Sequence, residues 1–314
     1  MPKVSVVLIS YNHAKYLREA IESVLSQTYE DFELIIWDDA SKDDSWSIIK
    51  SYDDKRIRAF RNEEHKRGIW GLNKSISEIC MGEYIAIHHS DDVWEPEKLA
   101  RQVEHLDNFE SVGAIFTQVH AIGESGDAFS DAQHFYYKIF DQDNRARHEW
   151  LSFFFLKGNA LCHPSAMVRK SCFDECGLYR YGFAQLGDFD MWIRICLKHE
   201  IYIIPRKLTR FRVRAGEANA SGNRAEGNLR GYYEFHQILN HYAAIDDFDE
   251  LVKIFPEASK YKIAGEANVK FALANIVLEL KPIKYMELFA LDILFLLLQD
   301  KREALEINRL YGFE

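Results

Sequence analysis

The sequence has few cysteines, and their arrangement defines no metal site or disulfide framework. The five cysteines are odd in number, and no two of them have a CxxC spacing. A Cys-based zinc site and a fully paired set of disulfides are therefore both disfavoured. Reduced cysteines that serve as small buried apolar groups are typical of cytoplasmic proteins, which is the location we expect.

The sequence also shows no pattern typical of a signal peptide or of a transmembrane segment. The N-terminus, MPKVSVVLIS, lacks the length and the cleavage site of a signal peptide. The longest apolar run extends only from Met286 to Leu298 and contains Glu287 and Asp292. Such a segment is too short and too charged to cross a bilayer, so we expect no transmembrane anchor.

Excess positive charge and glycine-rich loops are absent as well. The 39 Lys and Arg residues are outnumbered by 49 Asp and Glu residues, for a net charge of −10. A nucleic-acid partner is disfavoured because binding phosphates requires a basic face. No GxGxxG occurs, and Ser-Tyr-Asn-His follows the first predicted strand. These features disfavour a dinucleotide oxidoreductase and a sugar nucleotidyltransferase.

What is present is an alternation of strand and helix patterns in the first 120 residues. Such alternation predicts an α/β domain with a mostly parallel sheet and flanking helices. From about residue 229 the pattern is helical, and residues 118–160 have no clear period and are predicted to be rich in loops. The predicted strands of the sheet are Val4–Ile9, Glu33–Trp37, Ile57–Phe60, Glu83–His88 and Val112–Thr117.

Three polar clusters follow predicted strands at their carboxyl ends, where open α/β sheets bind ligands. They are Tyr11-Asn12, Asp38-Asp39 and Asp91-Asp92, the last preceded by Ser90. Either acidic pair alone is more often a turn or a helix cap, but two pairs at neighbouring strand ends favour a site. Carboxylates bind hard cations such as Mg²⁺ or Mn²⁺, and such a cation suits a nucleotide diphosphate.

A longer series of motifs resembles the family 2 inverting glycosyltransferases, which have the GT-A fold. It opens with VSVVLISYNHAKYLREAIESVLSQTYEDFELIIWDDASKDDS and continues through Gly68, Asn73, GEYIAIHHSDD, HPSAMVRK and GDFDMWIRI. The resemblance covers roughly two thirds of the chain and fades after about residue 221. It implies a Rossmann-like GT-A domain over residues 1–222, with a C-terminal helical appendage over residues 223–314.

The resemblance also assigns functional residues. It implies that Asp91 and Asp92 bind the donor ribose and a metal, Mn²⁺ or Mg²⁺, and relatives place the metal contact on either of the two. Relatives often carry Asp at the position of His89 and a metal-binding His at the position of Arg214. Either the metal has fewer protein ligands here, or Arg214 partly replaces its charge. The implied donor-binding residues are Ser10, Tyr11, Asn12, Asp38, Asp39, Asn73, Asp91, Arg212 and Arg214.

On the acceptor side, the resemblance implies that Asp188 is the general base. A carboxylate can take the proton of an attacking hydroxyl, while the alternative reading of Asp188 is a helix N-cap, which is compatible with catalysis. His163 and Asp190 are implied to lie near the acceptor, although a His before Pro is often structural. Trp192 is predicted to belong to the core rather than to a sugar platform.

The implied activity is inverting transfer of a sugar from a nucleotide donor to a glycan or lipid-linked saccharide in surface polysaccharide synthesis. The resemblance favours UDP-hexose or UDP-N-acetylhexosamine as donor. The alternative is a catalytically impaired nucleotide-sugar-binding protein. The apolar face of residues 281–298 leaves three interpretations open: packing on the domain, homo-oligomerisation, and peripheral contact with the inner face of the membrane.

Overall fold

The computed structural model describes residues 1–219, 225–280 and 284–312. The chain forms two compact units: Met1–Arg147 with Asn159–Gly222, and His148–Gly158 with Asn223–Glu314. Compact units are defined by contacts and do not have to follow the chain, so the domain division at residue 222 stays a prediction.

The first unit contains one eight-stranded sheet with helices packed against it. The described helices of both units number twelve, apart from short 3₁₀ segments and a π-helical turn at Ser75–Ile79. The strands are β1 Val4–Ser10, β2 Phe32–Asp38, β3 Ile57–Arg61, β4 Tyr84–His89, β5 Val93–Trp94, β6 Val112–Ile122, β7 Met167–Arg169 and β8 Glu200–Arg212. The helices are α1 Ala14–Leu25, α2 Ser45–Lys50, α3 Gly68–Lys74, α4 Lys98–Asn108, α5 Arg147–Lys157, α6 Lys170–Cys176, α7 Gly187–Cys196, α8 Ala225–Ala243, α9 Phe248–Ile254, α10 Val269–Glu279, α11 Lys284–Gln299 and α12 Lys301–Tyr311.

The sheet has the strand order β3-β2-β1-β4-β7-β6-β8-β5. Strands β3, β2, β1 and β4 are parallel to one another, and β6 is parallel to β8. Strand β7 is antiparallel to both of its neighbours, and β5 is antiparallel to β8. The predicted mostly parallel α/β sheet with flanking helices is thereby confirmed.

The core lies where apolar strands meet the apolar stripes of the helices. Every residue of β2 is buried, as expected for a strand that is covered on both faces. On α1, the apolar residues that recur at helical spacing are buried against the sheet, with Leu17, Ala20, Ile21 and Val24 fully enclosed. Truncating one of these side chains, such as Leu17, to Ala would cost roughly 2–5 kcal/mol.

Two regions differ from their sequence patterns. Pro205 interrupts the apolar pattern of its region, yet Glu200–Arg212 form one strand, β8, whose pairing with β6 jumps from Ile204 to Lys207. The bulge leaves Pro205 out of the ladder, where its missing N–H is harmless. The region 118–160, predicted to be rich in loops, contains the end of β6, a 3₁₀ turn and helix α5.

The second unit is helical, as expected for the C-terminal appendage. In its interior, the ring of Phe155 packs 5.0 Å from the rings of Tyr242 and Phe255. The Tyr242 hydroxyl donates a hydrogen bond to the backbone carbonyl of Leu151 (2.7 Å). On α11, apolar residues are also exposed, among them Phe295. Within the three described ranges, no helix combines the length and the apolar content that a bilayer span requires.

Candidate functional site

The carboxyl ends of β1, β2 and β4 form one polar edge of the sheet. Ser10, the last residue of β1, is paired with Asp38 in β2, and Ile9 is paired with His89 at the end of β4. The three polar clusters predicted to converge therefore leave neighbouring strands at the same edge. The residues that follow the strands directly are Tyr11, Asn12, Asp39, Asp91 and Asp92.

Asp39 is buried at this edge and has one oxygen engaged and one available. Its Oδ1 accepts hydrogen bonds from Nδ2 of Asn62 (2.6 Å) and from the backbone N–H of Lys66 (2.9 Å). Its Oδ2 lies 2.9 Å from Nδ1 of His65, but the contact lacks hydrogen-bonding geometry and Oδ2 has no hydrogen-bond partner. The His65 ring stacks on Tyr11 with 4.1 Å between ring centroids.

Several buried oxygen atoms at this edge have no hydrogen-bond partner among the described residues. They are Oγ of Ser10, Oδ1 of Asp38, Oδ2 of Asp39 and Oδ2 of Asp92. Leaving a buried polar group unsatisfied costs roughly 1–3 kcal/mol, so native proteins rarely collect several such groups without a reason. Their concentration at the ends of neighbouring strands indicates a site that binds a polar ligand.

His89, Asp91 and Asp92 form a cluster that could hold a metal ion. Their ligand atoms all lie within 4.8 Å of one another. Oδ1 of Asp92 accepts the backbone N–H of Arg212 (2.7 Å), while its Oδ2 faces Nδ1 of His89 at 3.6 Å. Burial, and then the charge of Asp91, raise the pKa of Asp92 well above its usual value. A divalent cation would relieve this repulsion, and carboxylate oxygens with an imidazole nitrogen are suitable ligands for it.

Arg212 holds the Asp91 segment in place. Its side chain is fully buried, with Nε donating to the backbone carbonyl of Asp91 (2.8 Å) and Nη2 pairing with Glu19 (2.6 Å). Its Nη1 donates to the backbone carbonyls of Gly123 and Glu124. Every nitrogen of this guanidinium therefore has a protein acceptor, and the donor-binding role predicted for Arg212 stays a prediction.

Arg214 and His13 form a polar pair beside the acidic cluster. Nη1 of Arg214 donates to Nε2 of His13 (2.9 Å) and lies 4.0 Å from Oδ2 of Asp91. Because His13 accepts at Nε2, its Nδ1 carries the proton and donates to Oγ of Ser90 (2.8 Å). Burial lowers the pKa of His13, which agrees with a neutral ring. Nε of Arg214 is buried and has no hydrogen-bond partner within the described ranges, so it can donate to a bound anion.

The two asparagines that were predicted to bind the donor are engaged with the backbone. Asn12 adopts a positive φ of 53°, and its Oδ1 accepts the N–H of Lys42 (2.8 Å). Asn73 is buried, and its amide bonds both the carbonyl (2.7 Å) and the N–H (3.0 Å) of Tyr179. These bonds orient both side chains, and the donor-binding roles of both residues stay predictions.

Asp188 lies in the first turn of α7, two residues beyond the N-cap Leu186. Its Oδ1 accepts the N–H of Phe189 (2.8 Å), and its Oδ2 accepts Nδ2 of Asn159 (3.0 Å). The side chain is partly open to solvent although protein surrounds it closely, and this burial raises the pKa of Asp188 to about 6. A carboxylate that titrates near neutrality can accept a proton and later release it.

His163 connects the acidic cluster with Tyr179. Its Nδ1 lies 3.1 Å from Nε2 of His89, and its Nε2 lies 3.0 Å from the Tyr179 hydroxyl. Burial, and then the neighbouring His89, lower the pKa of His163 well below its usual value, so both rings are neutral in this chain of hydrogen bonds. Trp192, at the edge of the His163 ring, is fully buried, which confirms its predicted place in the core.

Asp190 is fully buried and paired with arginine. Its Oδ2 accepts from Nε (2.9 Å) and lies 2.8 Å from Nη2 of Arg194, and Nη1 of Arg180 lies 3.4 Å from its Oδ1. Arg194 in turn donates to backbone carbonyls of residues 176–178. Through Arg194, Asp190 thus helps to fix the backbone of residues 176–178, and direct contact with an acceptor stays a prediction.

The acidic residues could be found from the sequence, but several of their partners could not. The structure adds His13, His65, His89 and Asn159 to the surroundings of the predicted residues. His13 and His89 adjoin predicted clusters, so proximity in sequence was the available signal. Asn159 and Asp188 are 29 residues apart, and no local pattern joins them.

The comparisons with known proteins identify a family. Residues 5–173, more than half of the chain, match the family model of glycosyl transferase family 2. An uncharacterized glycosyltransferase of Methanocaldococcus jannaschii is 32% identical over 217 residues, which cover 68% of this chain and 71% of that protein. The putative glycosyltransferase EpsE of Bacillus subtilis is 32% identical over 62% of this chain and 66% of its own length.

A shorter match carries a more specific name. It is the UDP-Glc:alpha-D-GlcNAc-diphosphoundecaprenol beta-1,3-glucosyltransferase WfaP of Escherichia coli, which is 37% identical over 107 residues. These residues cover 34% of this chain and 42% of WfaP.

Solved structures support the fold. Staphylococcus aureus TarS 1-349 in complex with UDP-GlcNAc aligns with a TM-score of 0.61 and 15% identity over 88% of this chain and 79% of that one. The mannosyltransferase PcManGT of Pyrobaculum calidifontis in complex with GDP-Man and Mn²⁺ aligns with a TM-score of 0.54 and 15% identity over 96% and 88%. The α/β architecture is therefore that of the GT-A glycosyltransferases, and the chain belongs to glycosyl transferase family 2.

Proposed function

We propose that the polar edge of the sheet binds a nucleotide-sugar donor and that the chain transfers its sugar to a hydroxyl of a glycan or lipid-linked saccharide. The observation that carries this proposal is the group of unpartnered buried oxygens at Ser10, Asp38, Asp39 and Asp92. A ligand with a base, ribose hydroxyls and a metal-bound diphosphate supplies the donors and the charge that these atoms lack. Membership in glycosyl transferase family 2 and the UDP-GlcNAc bound to TarS support a nucleotide-sugar site.

UDP is the nucleotide that we propose, with hexose or N-acetylhexosamine as the sugar. Oδ2 of Asp39 is a buried carboxylate oxygen without a hydrogen bond, which suits the imide N–H of uracil. Tyr11 is 36% exposed at the same edge and offers an aromatic face to a planar base. The names of WfaP and of the TarS complex, which both contain UDP, support this choice.

Mn²⁺ or Mg²⁺ is the proposed cofactor, held by Asp91 and Asp92. When bound, such a cation neutralises charge that develops on the leaving diphosphate. His89 is the third residue whose ligand atom lies within 4.8 Å of theirs, and we add it to the proposed set. Arg214 has an unpartnered Nε and stands 4.0 Å from Asp91, so we propose that it binds phosphate oxygens beside the cation.

Asp188 is the proposed general base. The acceptor hydroxyl transfers its proton to the Asp188 carboxylate as its oxygen bonds to the anomeric carbon, and the bond from that carbon to the diphosphate breaks in the same step. One displacement from the face opposite the leaving group inverts the anomeric centre. The raised pKa of Asp188, about 6, supports the proposal because a base with an ordinary carboxyl pKa would accept a proton less readily.

We further propose a cytoplasmic enzyme that acts in surface polysaccharide synthesis, on a saccharide linked to a lipid at the inner face of the membrane. The name of WfaP, which specifies a diphosphoundecaprenol acceptor, supports this proposal. The name of another relative, the putative teichuronic acid biosynthesis glycosyltransferase TuaG of Bacillus subtilis, supports a role in polysaccharide synthesis. Five free cysteines agree with a reducing compartment.

A transfer assay tests this proposal. Purified protein with Mn²⁺ is incubated with a panel of UDP-, GDP- and dTDP-sugars and GlcNAc-diphosphate-lipid, and products are followed by mass spectrometry. NMR of the product then gives the anomeric configuration. We expect UDP release, an extended lipid-linked saccharide and an inverted linkage. Retention of configuration would contradict the mechanism, and nucleotide binding without transfer to any acceptor would favour the alternative, a catalytically impaired nucleotide-sugar-binding protein.

A further inference from the structure

We propose that the ring of His65 occupies the nucleobase position in the ligand-free chain, so that the donor base binds only after this ring is displaced. The inference rests on the proposed function, because it takes the polar edge to be a nucleotide site. It assigns to His65 a role in setting donor affinity, and the resemblance to the family implied no role for this residue.

The position of the ring is the first argument. The His65 imidazole stacks on Tyr11, with centroids 4.1 Å apart and planes inclined by 29°. Its Nδ1 stands 2.9 Å from Oδ2 of Asp39. A planar heterocycle on Tyr11 with a nitrogen at Asp39 is the arrangement proposed above for uracil. No base can reach Oδ2 along this line while the imidazole is there, because the two atoms are already in contact.

The quality of the contact is the second argument. Although Nδ1 and Oδ2 are close, the imidazole N–H does not point at the oxygen, and Oδ2 of Asp39 remains without a hydrogen bond. The imidazole therefore fills the position without meeting its hydrogen-bonding requirement. A base that donates a well-directed N–H would form the hydrogen bond to this buried oxygen that the histidine does not form.

The anchoring of the loop over residues 62–67 is the third argument. On either side of His65, Asn62 donates through its side chain and Lys66 through its backbone to Oδ1 of Asp39. These bonds hold the loop through Oδ1 of Asp39 and do not use Oδ2. The His65 side chain is 46% exposed, so it can rotate into solvent without breaking either bond. Arg67, which directly precedes α3, has a positive φ of 67° with ψ 148°.

Displacement of the ring lowers the apparent affinity for the nucleotide. A ligand that binds only when His65 is out has an apparent Kd equal to the intrinsic Kd divided by the fraction of molecules in that state. Removing the ring should therefore tighten binding, by about fivefold for a stack of ordinary strength. The opposite effect is expected if the ring covers the bound base as a second stacking face, since its removal would then weaken binding.

The experiment is calorimetry of UDP in the presence of Mn²⁺ with the full chain and three variants. His65→Ala removes the ring and should lower the Kd about fivefold. His65→Phe keeps a ring that can stack on Tyr11 and should leave the Kd unchanged or raise it. His105→Ala is the matched control, because His105 also stacks on a tyrosine, Tyr202 (3.9 Å), but at the opposite edge of the sheet. The Kd of this variant for UDP should match that of the wild-type chain.

Each outcome decides between the alternatives. An unchanged or higher Kd for His65→Ala would overturn the proposal, and so would an equal tightening by His65→Phe, since stacking would then not be the obstacle. Absence of UDP, GDP and dTDP binding in the wild-type chain and in every variant would instead contradict the proposed function. Stopped-flow tryptophan fluorescence adds a kinetic test: the observed rate should reach a plateau at high UDP in the wild-type chain and a higher one, or none, in His65→Ala.

Discussion

Asp188 and Asp190 lie two residues apart in the first turn of α7, and we expect their Asn variants to have opposite effects on stability. Asp188 accepts hydrogen bonds from neutral groups, and burial raises its pKa to about 6. Asp190 is fully buried and paired with Arg194, with Oδ2 and Nη2 2.8 Å apart. We therefore expect the first carboxylate to lower the stability of the folded chain and the second to raise it.

The sign of the Asp188 effect follows from proton linkage. Its pKa is about 6 in the folded chain against 3.8 for the ordinary group. Above about pH 6 the folded state therefore bears the cost of an ionised, partly buried carboxylate. This cost declines as the pH falls from 6 to below 4, because the folded state takes up the proton first. Asp188→Asn should raise the free energy of unfolding by about 1–3 kcal/mol near pH 8 and by much less near pH 4.

For Asp190→Asn we expect destabilisation at both pH values. The substitution leaves the Arg194 guanidinium buried without its partner charge, and breaking a buried pair in this way costs roughly 3–5 kcal/mol. The activity of the two variants should also differ. Asp188→Asn should slow transfer about 10²- to 10⁴-fold with UDP affinity nearly intact, since the loss is confined to proton transfer. Asp190→Asn should lose activity in proportion to the unfolded fraction.

The assays are urea unfolding at the two pH values, calorimetry of UDP, and initial transfer rates for both variants. Destabilisation by Asp188→Asn near pH 8 would refute the linkage argument. Transfer at the wild-type rate would refute the assignment of the base, and so would weak UDP binding in a folded Asp188→Asn protein.

Three further predictions concern the same site. In the pH–rate profile, kcat/KM should fall on the acidic side with a midpoint at about pH 6. Asn159→Ala should move this midpoint to higher pH, because Asn159 donates to the ionised Asp188 and lowers its pKa. An unchanged midpoint would contradict this reasoning. Asp39→Asn should weaken UDP binding in calorimetry by roughly 10- to 100-fold through loss of a charged acceptor, and equal affinity would exclude contact with the base. His89→Ala should weaken Mn²⁺ binding more than Mg²⁺ binding, since imidazole suits Mn²⁺ better, and equal losses in a metal titration would remove His89 from the ligand set.

The sheet could be predicted from the sequence because its signals are local. The buried strands β1 and β2 are predominantly apolar, and the acidic pairs at the ends of β2 and β4 mark where those strands end. Helix α5 was missed for a physical reason. Its aromatic residues, including Trp150, Phe154 and Phe155, are buried without forming one clean stripe, so the period that indicates a helix is weak.

The chemistry of the site was only partly accessible from the sequence. The acidic residues are recognisable by type and position, but their partners depend on tertiary contacts. Arg212 and Asn73 were predicted to bind the donor from their positions in the motifs, and the structure engages both with the backbone. The same contacts bring His65 onto Tyr11 and His13 onto Arg214, which no spacing in the sequence indicates.

The most direct test of the central claim is calorimetry of UDP with and without Mn²⁺. We predict that UDP binds when Mn²⁺ is present, and that its affinity falls at least about tenfold when the metal is chelated or when Asp92 is replaced by Asn. The reason is that one lost charged contact of about 1.5–3 kcal/mol changes Kd by that much or more. Binding of UDP with the same affinity in all three cases would contradict the metal assignment. Failure of UDP, GDP and dTDP to bind under any condition would contradict the proposed donor site itself.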